Sequence, residues 1–335
     1  MADEIAVRGS SHSRTEVVRY LIGVAVGIVV LLLLFGKRNE LRPAWHQLSH
    51  ANLGWVAIAI AAEALSLLTF AALQHLVLRL SGAHIRLAPL ALLSLANDAV
   101  ANTIPGEPAV SSAYRYRFYR RHGTSSASAG WTIFTILVAQ AIGMSLLLLL
   151  GVLVALISDG ARYAGASIAG IIMAAAAFAV LIRRDLILRC AEAMARFARR
   201  FGRGNLAERI QATLVRMREI PLGTGSAIGV GGIATAVWFG DFLCLVCSFS
   251  AIHAAVPWDG VLLAYGVAQV VGTLPIVPGG IGIIEGSLAI ILTGYGASRP
   301  AALAAAVIYR VISFWLVVAA GWISVWAIAR RHHRS

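Results

Sequence analysis

Residues 271–286 read Val-Gly-Thr-Leu-Pro-Ile-Val-Pro-Gly-Gly-Ile-Gly-Ile-Ile-Glu-Gly, which sets helix breakers and a carboxylate inside sequence otherwise apolar enough for a lipid bilayer. Pro275, Pro278, Gly279, Gly280 and Gly282 interrupt any helix there, and Glu285 follows the last break by about one turn. Hydrocarbon tolerates unwound backbone only where protein or a water-filled cavity surrounds it, so the run predicts the floor of a polar pocket. Glu285 there suits a cationic headgroup, an arginine or a transported proton; it also suits a plain helix cap satisfying free backbone N–H groups. Arg310, with about 20 apolar residues after it, is placed either to grip a lipid phosphate through two parallel hydrogen bonds or to snorkel to the headgroup layer.

A lone ionised side chain at the centre of a membrane helix costs about 2.5–3.5 kcal/mol, so each one asks for a partner or for water. Glu63 and Asp241 fall mid-helix and suit proton carriage or attraction of an ammonium group, or else a structural hydrogen bond to a neighbouring Ser or Trp. Asp98, beside Asn97, either lines the pocket or terminates a helix. Arg115, Arg117, Arg120 and Arg121 interleave with Tyr114, Tyr116, Phe118 and Tyr119, a pattern of headgroup depth that serves positive-inside anchoring or recruitment of anionic lipid.

The elements that must position these groups follow from composition. Of 335 residues, 59% are hydrophobic and 13% charged, and the mean hydropathy is +0.81, which predicts an all-α polytopic membrane protein. Apolar windows lie at 20–35, 53–73, 127–157, 164–182, 227–252, 261–277 and 301–329, with weaker ones at 87–104 and 281–292. The net charge of +13 comes largely from arginines flanking these windows, which points to topology and anionic lipid rather than nucleic acid. The run 20–35 follows basic residues but lacks a small-residue cleavage site, so it reads as a retained first helix. Cys244 and Cys247 share a C-x-x-C spacing inside an apolar helix and read, with Cys190, as packing residues. His46 and His50 have the spacing of two metal ligands, but no acid stands beside His46, and no metal or cofactor is expected. Gly202-Arg203-Gly204 lacks the ending of an ATP-binding loop.

Charge then orders the chain. The basic stretch 183–218 is the most arginine-rich connection and is expected as a cytoplasmic amphipathic helix. Both ends of 87–122 come out on its side of the membrane, yet Glu107 to His122 is too polar to cross lipid alone. The segment is therefore expected to be a re-entrant hairpin turning at Pro105-Gly106. Pro278 precedes Gly296 by the same 18 residues that separate Pro105 from Gly123, so the second half repeats the device at an offset of 173. With the C-terminal arginines also inside, the halves run in opposite senses. The expected organisation is a cytoplasmic tail over 1–16, a first half over 17–182 with a hairpin near 87–122, and a basic connection over 183–220. A second half over 221–330 comes next, with a hairpin near 258–297, then a cytoplasmic tail over 331–335. About six full transmembrane helices and two re-entrant hairpins result, in a cell (plasma) membrane protein with both termini cytoplasmic.

Asn102-Thr103-Ile104-Pro105-Gly106, then Arg115, Arg120-Arg121-His122-Gly123, then residues 274–285 and Tyr309-Arg310 resemble the flippase-like transmembrane domain of lysylphosphatidylglycerol synthetases and their stand-alone relatives. The likeness runs from about residue 17 to residue 330; Glu107-Pro108 departs from the small residues expected after the first turn. The resemblance implies movement of an aminoacylated or other anionic phospholipid, or of a polyprenyl-linked lipid, between leaflets. It implies transport without synthesis, since no segment here resembles the soluble aminoacyl-transferase domain. Two other readings stand beside it: an intramembrane transferase acting on a polyprenyl phosphate lipid, and a noncatalytic membrane partner of a separate lipid-modifying synthase.

Overall fold

A computed structural model describes residues 47–103, 109–159, 223–273 and 278–332. The described part is helical, with no strand in it. In chain order it comprises α1 (Leu53–Leu80), α2 (Leu87–Thr103), α3 (Ala109–Arg121), α4 (Ser126–Asp159), α5 (Thr224–Ala251), α6 (Val261–Gly272), a 3-10 turn (Pro278–Gly280), α7 (Ile283–Gly294), α8 (Arg299–Arg310), a π segment (Val311–Leu316) and α9 (Val317–His332). Four of these stretches, α1, α4, α5 and the continuous run α8–π–α9, are long and apolar enough to cross a membrane. The expected spans at 20–35 and 164–182, the basic stretch 183–218, and Pro105, Gly106, Glu107 and Pro275 lie outside the described residues.

Local signals set the helix starts. Asn52 caps α1 by accepting from the Gly54 N–H at 2.8 Å, and Ser298 caps α8, whose second residue is Pro300, a position where the missing N–H costs nothing. The apolar window 261–277 does not stay helical: α6 ends at Gly272, ahead of the prolines.

The two halves repeat a long–short–short–long plan. Their helices begin at matching offsets: 224 − 53 = 171, 261 − 87 = 174, 283 − 109 = 174 and 299 − 126 = 173. α1 and α5, which correspond, lie antiparallel: the Asn52 N–H donates to the Ala251 carbonyl at 2.7 Å, and Ser66 Oγ donates to the Val237 carbonyl at 2.8 Å. The halves therefore run in opposite senses. Their packing repeats as well. Leu148 of α4 fills the space against Gly266 of α6, and position 148 advanced by 173 is Gly321 of α9, which packs against Leu95 and Ala99 of α2. Each half thus lays a short helix against the long helix of the other. With hydrocarbon on the outside, such close backbone approach between small residues is the main source of helix association.

The outer ends of each short pair are tied to the long helices that flank it. His75 Nδ1 bonds the Ile85 carbonyl at 2.7 Å and Ser128 Oγ donates to the Ser81 carbonyl at 3.1 Å, which gathers the end of α1 and the starts of α2 and α4. α3 joins them through Tyr119, whose hydroxyl donates to Gln74 Oε1 at 2.6 Å while Gln74 Nε2 donates to Ser94 Oγ at 2.7 Å. The pair α6–α7 belongs to the opposite end, where Tyr295 lies over Gly260 and Leu263 packs on Gly151. The two pairs come together near Gly279, where a Cβ would stand 3.5 Å from the Asn102 carbonyl oxygen. Trp55, Leu65, Leu137, Leu153, Trp322 and Ile323 are exposed on the outer faces of the long helices, as lipid contact requires.

Three substitutions test this packing. Any side chain at Gly321 collides with the Leu95 carbonyl, so Gly321→Val is expected to cost about 1–3 kcal/mol in thermal unfolding of the detergent-solubilised protein. Gly229→Ala, where a Cβ meets nothing within 4 Å, should not lower the midpoint. Tyr119→Phe strands the buried Gln74 Oε1 and should cost about 1–3 kcal/mol in the same assay.

Candidate functional site

The helix break comes first. Gly279 has φ of 64° and Gly282 of 81°, left-handed backbone that a β-carbon penalises, and at Gly279 a side chain would also strike the Phe314 ring. The chain resumes helical form at Ile283, which puts Glu285 in the first turn of α7. Its Oε2 accepts from the Gly282 N–H at 2.7 Å and its Oε1 accepts from Arg310 Nε at 2.9 Å. Arg310 also donates from NH2 to the Gly279 carbonyl at 2.6 Å. The two readings of Glu285, cap and charge partner, hold together, one on each oxygen. Arg310 is 7% exposed, with its guanidinium carbon 4.3 Å from the centroid of the Phe314 ring. The snorkelling alternative for Arg310 is thereby replaced by an ion pair with the guanidinium buried and Glu285 partly so, because α8 presents the residue to the break before α7 and not to the outer face.

A second polar cluster adjoins it through Tyr309. Asp241 Oδ2 accepts from the Tyr265 hydroxyl at 2.6 Å, Gln269 Nε2 at 2.8 Å and the Tyr309 hydroxyl at 2.9 Å. Glu63 of α1, 8% exposed, has the Asp241 carboxyl as its neighbour across the α1–α5 contact, and Asp98 of α2 is near enough to act on it electrostatically. The approach depends on Gly240, where a Cβ would come within 3.0 Å of Ser66 Cβ. The alternative of a structural bond from Asp241 to Ser or Trp is not what forms: its partners are tyrosine and glutamine, while Trp238 gives its carbonyl to the Tyr265 hydroxyl and its indole N–H to the Gln140 carbonyl.

The site residues anticipated from sequence therefore divide. Glu63, Asp98, Asp241, Glu285, Arg310, Gly279 and Gly282 come together where α1, α2, α5, α6, α7 and α8 meet. Arg115 and Arg117 do not join by direct bonding: Arg115 stacks its guanidinium 5.1 Å from the Phe70 ring centroid, two turns along α1 from Glu63, and Arg117 is exposed on α3. Pro278 opens the 3-10 turn, and Gly280 continues it with φ of 61°. Tyr265, Gln269 and Phe314 were not singled out in the sequence. The i, i+4 spacing of Tyr265 and Gln269 on an otherwise apolar short helix is the signal that marks them, since it sets two polar groups on one face.

Cys244 and Cys247 are free and buried, and no group of three or more metal-ligating side chains occurs among the described residues. What the arrangement offers is a forked cation whose present partners are one carboxylate and one carbonyl, next to a carboxyl pair held by neutral donors. A guanidinium has further N–H donors beyond these two bonds and matches a phosphate in bidentate geometry.

Two UPF0104 membrane proteins of Methanothermobacter thermautotrophicus each resemble a stretch of this chain, one 27% identical over 89 residues (27% of this chain, 26% of that protein) and the other 33% identical over 84 residues (25% of each). Each stretch spans only about a quarter of its relative's length. Residues 20–321 match the family described as lysylphosphatidylglycerol synthase TM region, so nearly all of the helical architecture is covered, both clusters included. The chain is a membrane protein of the lysylphosphatidylglycerol synthase transmembrane-region family.

Proposed function

We propose that the protein moves a phosphate-bearing lipid, an anionic or aminoacylated phospholipid or a polyprenyl-linked lipid, between membrane leaflets without chemical change. The observation that carries this reading is the pairing of the buried Arg310 with the partly buried Glu285 at the helix break. Arg310 is 11 residues into the span that starts at Arg299, about 16 Å by helical rise and roughly half of a 30 Å hydrocarbon core. A charge pair at that depth costs desolvation that a hydrophobic pair of the same volume would avoid, so stability alone does not account for it. A lipid phosphate arriving in the groove exchanges with Glu285 for the Arg310 fork, the acyl tails staying in lipid. On release Glu285 takes the guanidinium back. Asp241 and Glu63 supply the negative side of the groove, which suits the ammonium of an aminoacyl headgroup.

In this reading α2–α3 and α6–α7 are re-entrant pairs entering from opposite faces, a plan that permits alternating access. The end bearing Arg79, Arg86, Arg120 and Arg121 faces the cytoplasm by the positive-inside rule, with both chain termini on that side of the plasma membrane. Arg115 and Arg117 on α3 then meet anionic headgroups at the groove mouth.

Purified protein in liposomes should move labelled anionic or aminoacyl lipid between leaflets. Arg310→Ala should slow this about 10- to 100-fold, the equivalent of a charge-assisted hydrogen bond worth about 1.5–3 kcal/mol. Arg310→Lys, which keeps the charge but not the fork, should fall between the two. Glu285→Gln should stop turnover by removing the group that reclaims the guanidinium. Absence of movement for every phosphate-bearing lipid tried, by protein shown to be folded, would sink the proposal.

A further inference from the structure

We propose that Glu63 and Asp241 together form a proton-binding site in the membrane core, one exchangeable proton held between the two carboxyl groups. Donors and acceptors decide it. Glu63 and Asp241 come side by side where Ser66, three residues on from Glu63, meets Gly240, and two adjacent buried carboxyls are reconciled by a hydrogen between them, since an ionised carboxylate only accepts. Asp241 Oδ2 already accepts from Tyr265, Gln269 and Tyr309, the pattern of a carboxylate. That leaves Glu63 to carry the proton and donate it to Asp241. Glu63 Oε2 is buried and meets no hydrogen-bond donor, and neither atom of the Asn97 side-chain amide finds a partner, although Asn97 is 1% exposed. Asn97 precedes Asp98 and is three residues on from Ser94, whose hydroxyl reaches α1 through Gln74. Unmet polar groups so deep in a bundle call for a small hydrogen-bonding ligand, and water is the one that also delivers and removes protons.

The surrounding charges leave the site to the proton. Arg310 lies beyond Tyr309 and is bonded to Glu285. The other titratable groups acting on the pair are Asp98 of α2, Cys244 of α5, Tyr265 of α6 and Tyr309 of α8, all neutral or negative. With the proton in place the pair carries one negative charge. When the Glu63 O–H bond breaks and the proton leaves, it carries two, on adjacent long helices that Gly240 brings to Ser66 contact. Loss of the proton therefore drives α1 and α5 apart at the level of the groove. If the protein moves lipid as proposed, this couples lipid movement to proton movement.

Infrared titration of the reconstituted protein tests the site directly, between about pH 4 and pH 9, where carboxyls in proteins titrate. The wild type should show a protonated-carboxyl C=O band that shifts in D2O and fades as pH rises. Glu63→Gln should remove it, Glu285→Gln should keep it, and Asp241→Asn should move it, because the proton loses its acceptor. No such band in the wild type, a band that survives Glu63→Gln, or a band that responds to sodium at fixed pH overturns the proposal. In liposomes a transmembrane pH gradient should change the lipid rate several-fold in the wild type and not in Glu63→Gln. A wild-type rate indifferent to the gradient overturns the coupling, whereas an intact band with no lipid movement counts against the transport reading and leaves the proton site standing.

Discussion

Hydrocarbon supplies no hydrogen bonds, and the break at Pro278–Gly282 exposes backbone groups that no helix satisfies. One ion pair meets that demand from both sides: Arg310 takes the Gly279 carbonyl and Glu285 takes the Gly282 N–H, while the two side chains neutralise each other. The prolines and glycines that create the break and the charges that repair it are therefore a single device. Remove the arginine and the carbonyl and the carboxylate both lose their partner; remove the glycines and α6 and α7 no longer part at that level.

The frame that holds this device is symmetric in backbone and asymmetric in chemistry. In the first half the tie between α1, α2 and α3 is the neutral chain Tyr119–Gln74–Ser94. In the second half the ties among α5, α6, α7 and α8 run through Asp241, Glu285 and Arg310. Neutral bonds of the first kind have no ionic competitor and fix α2–α3 to α1. Charged bonds of the second kind depend on the ionisation of both partners, so the ties of the second half are sensitive to their electrostatic surroundings in a way those of the first half are not.

Much of this was legible in the sequence because membrane burial makes signals stark. An acid or arginine within an apolar run, and Pro-Gly-Gly-x-Gly before Glu285, leave few physical solutions, and the repeat offset of 173 reappears in the helix starts. The depth of Arg310 was ambiguous, since a run of 20 apolar residues fits either a snorkelling or a buried guanidinium. The deciding fact was which face α8 turns inward. Tyr265 and Gln269 were hidden for another reason. Tyrosine and glutamine are ordinary in membrane helices, and only the approach of α5, permitted by Gly240, gives them a carboxylate to bind. The pairing of Glu63 with Asp241 was likewise invisible, because it depends on the antiparallel register of α1 and α5 and not on either helix alone.

The π segment shows how one span serves two neighbours. Arg310 and Gly321 are 11 residues apart, which in an uninterrupted α-helix sets them on nearly the same face. They face different partners: Arg310 meets the break before α7, and Gly321 meets α2 of the other half. A wider turn inserts about one residue of slack and rotates the downstream helix by roughly 100°, and Val311–Leu316 supplies it between the two. Phe314, inside the widened turn, uses the change of direction to cover both Gly279 and the Arg310 guanidinium. The local irregularity in α8–π–α9 is thus a condition of the site: without it, the helix could bury its arginine or pack on α2, but not both.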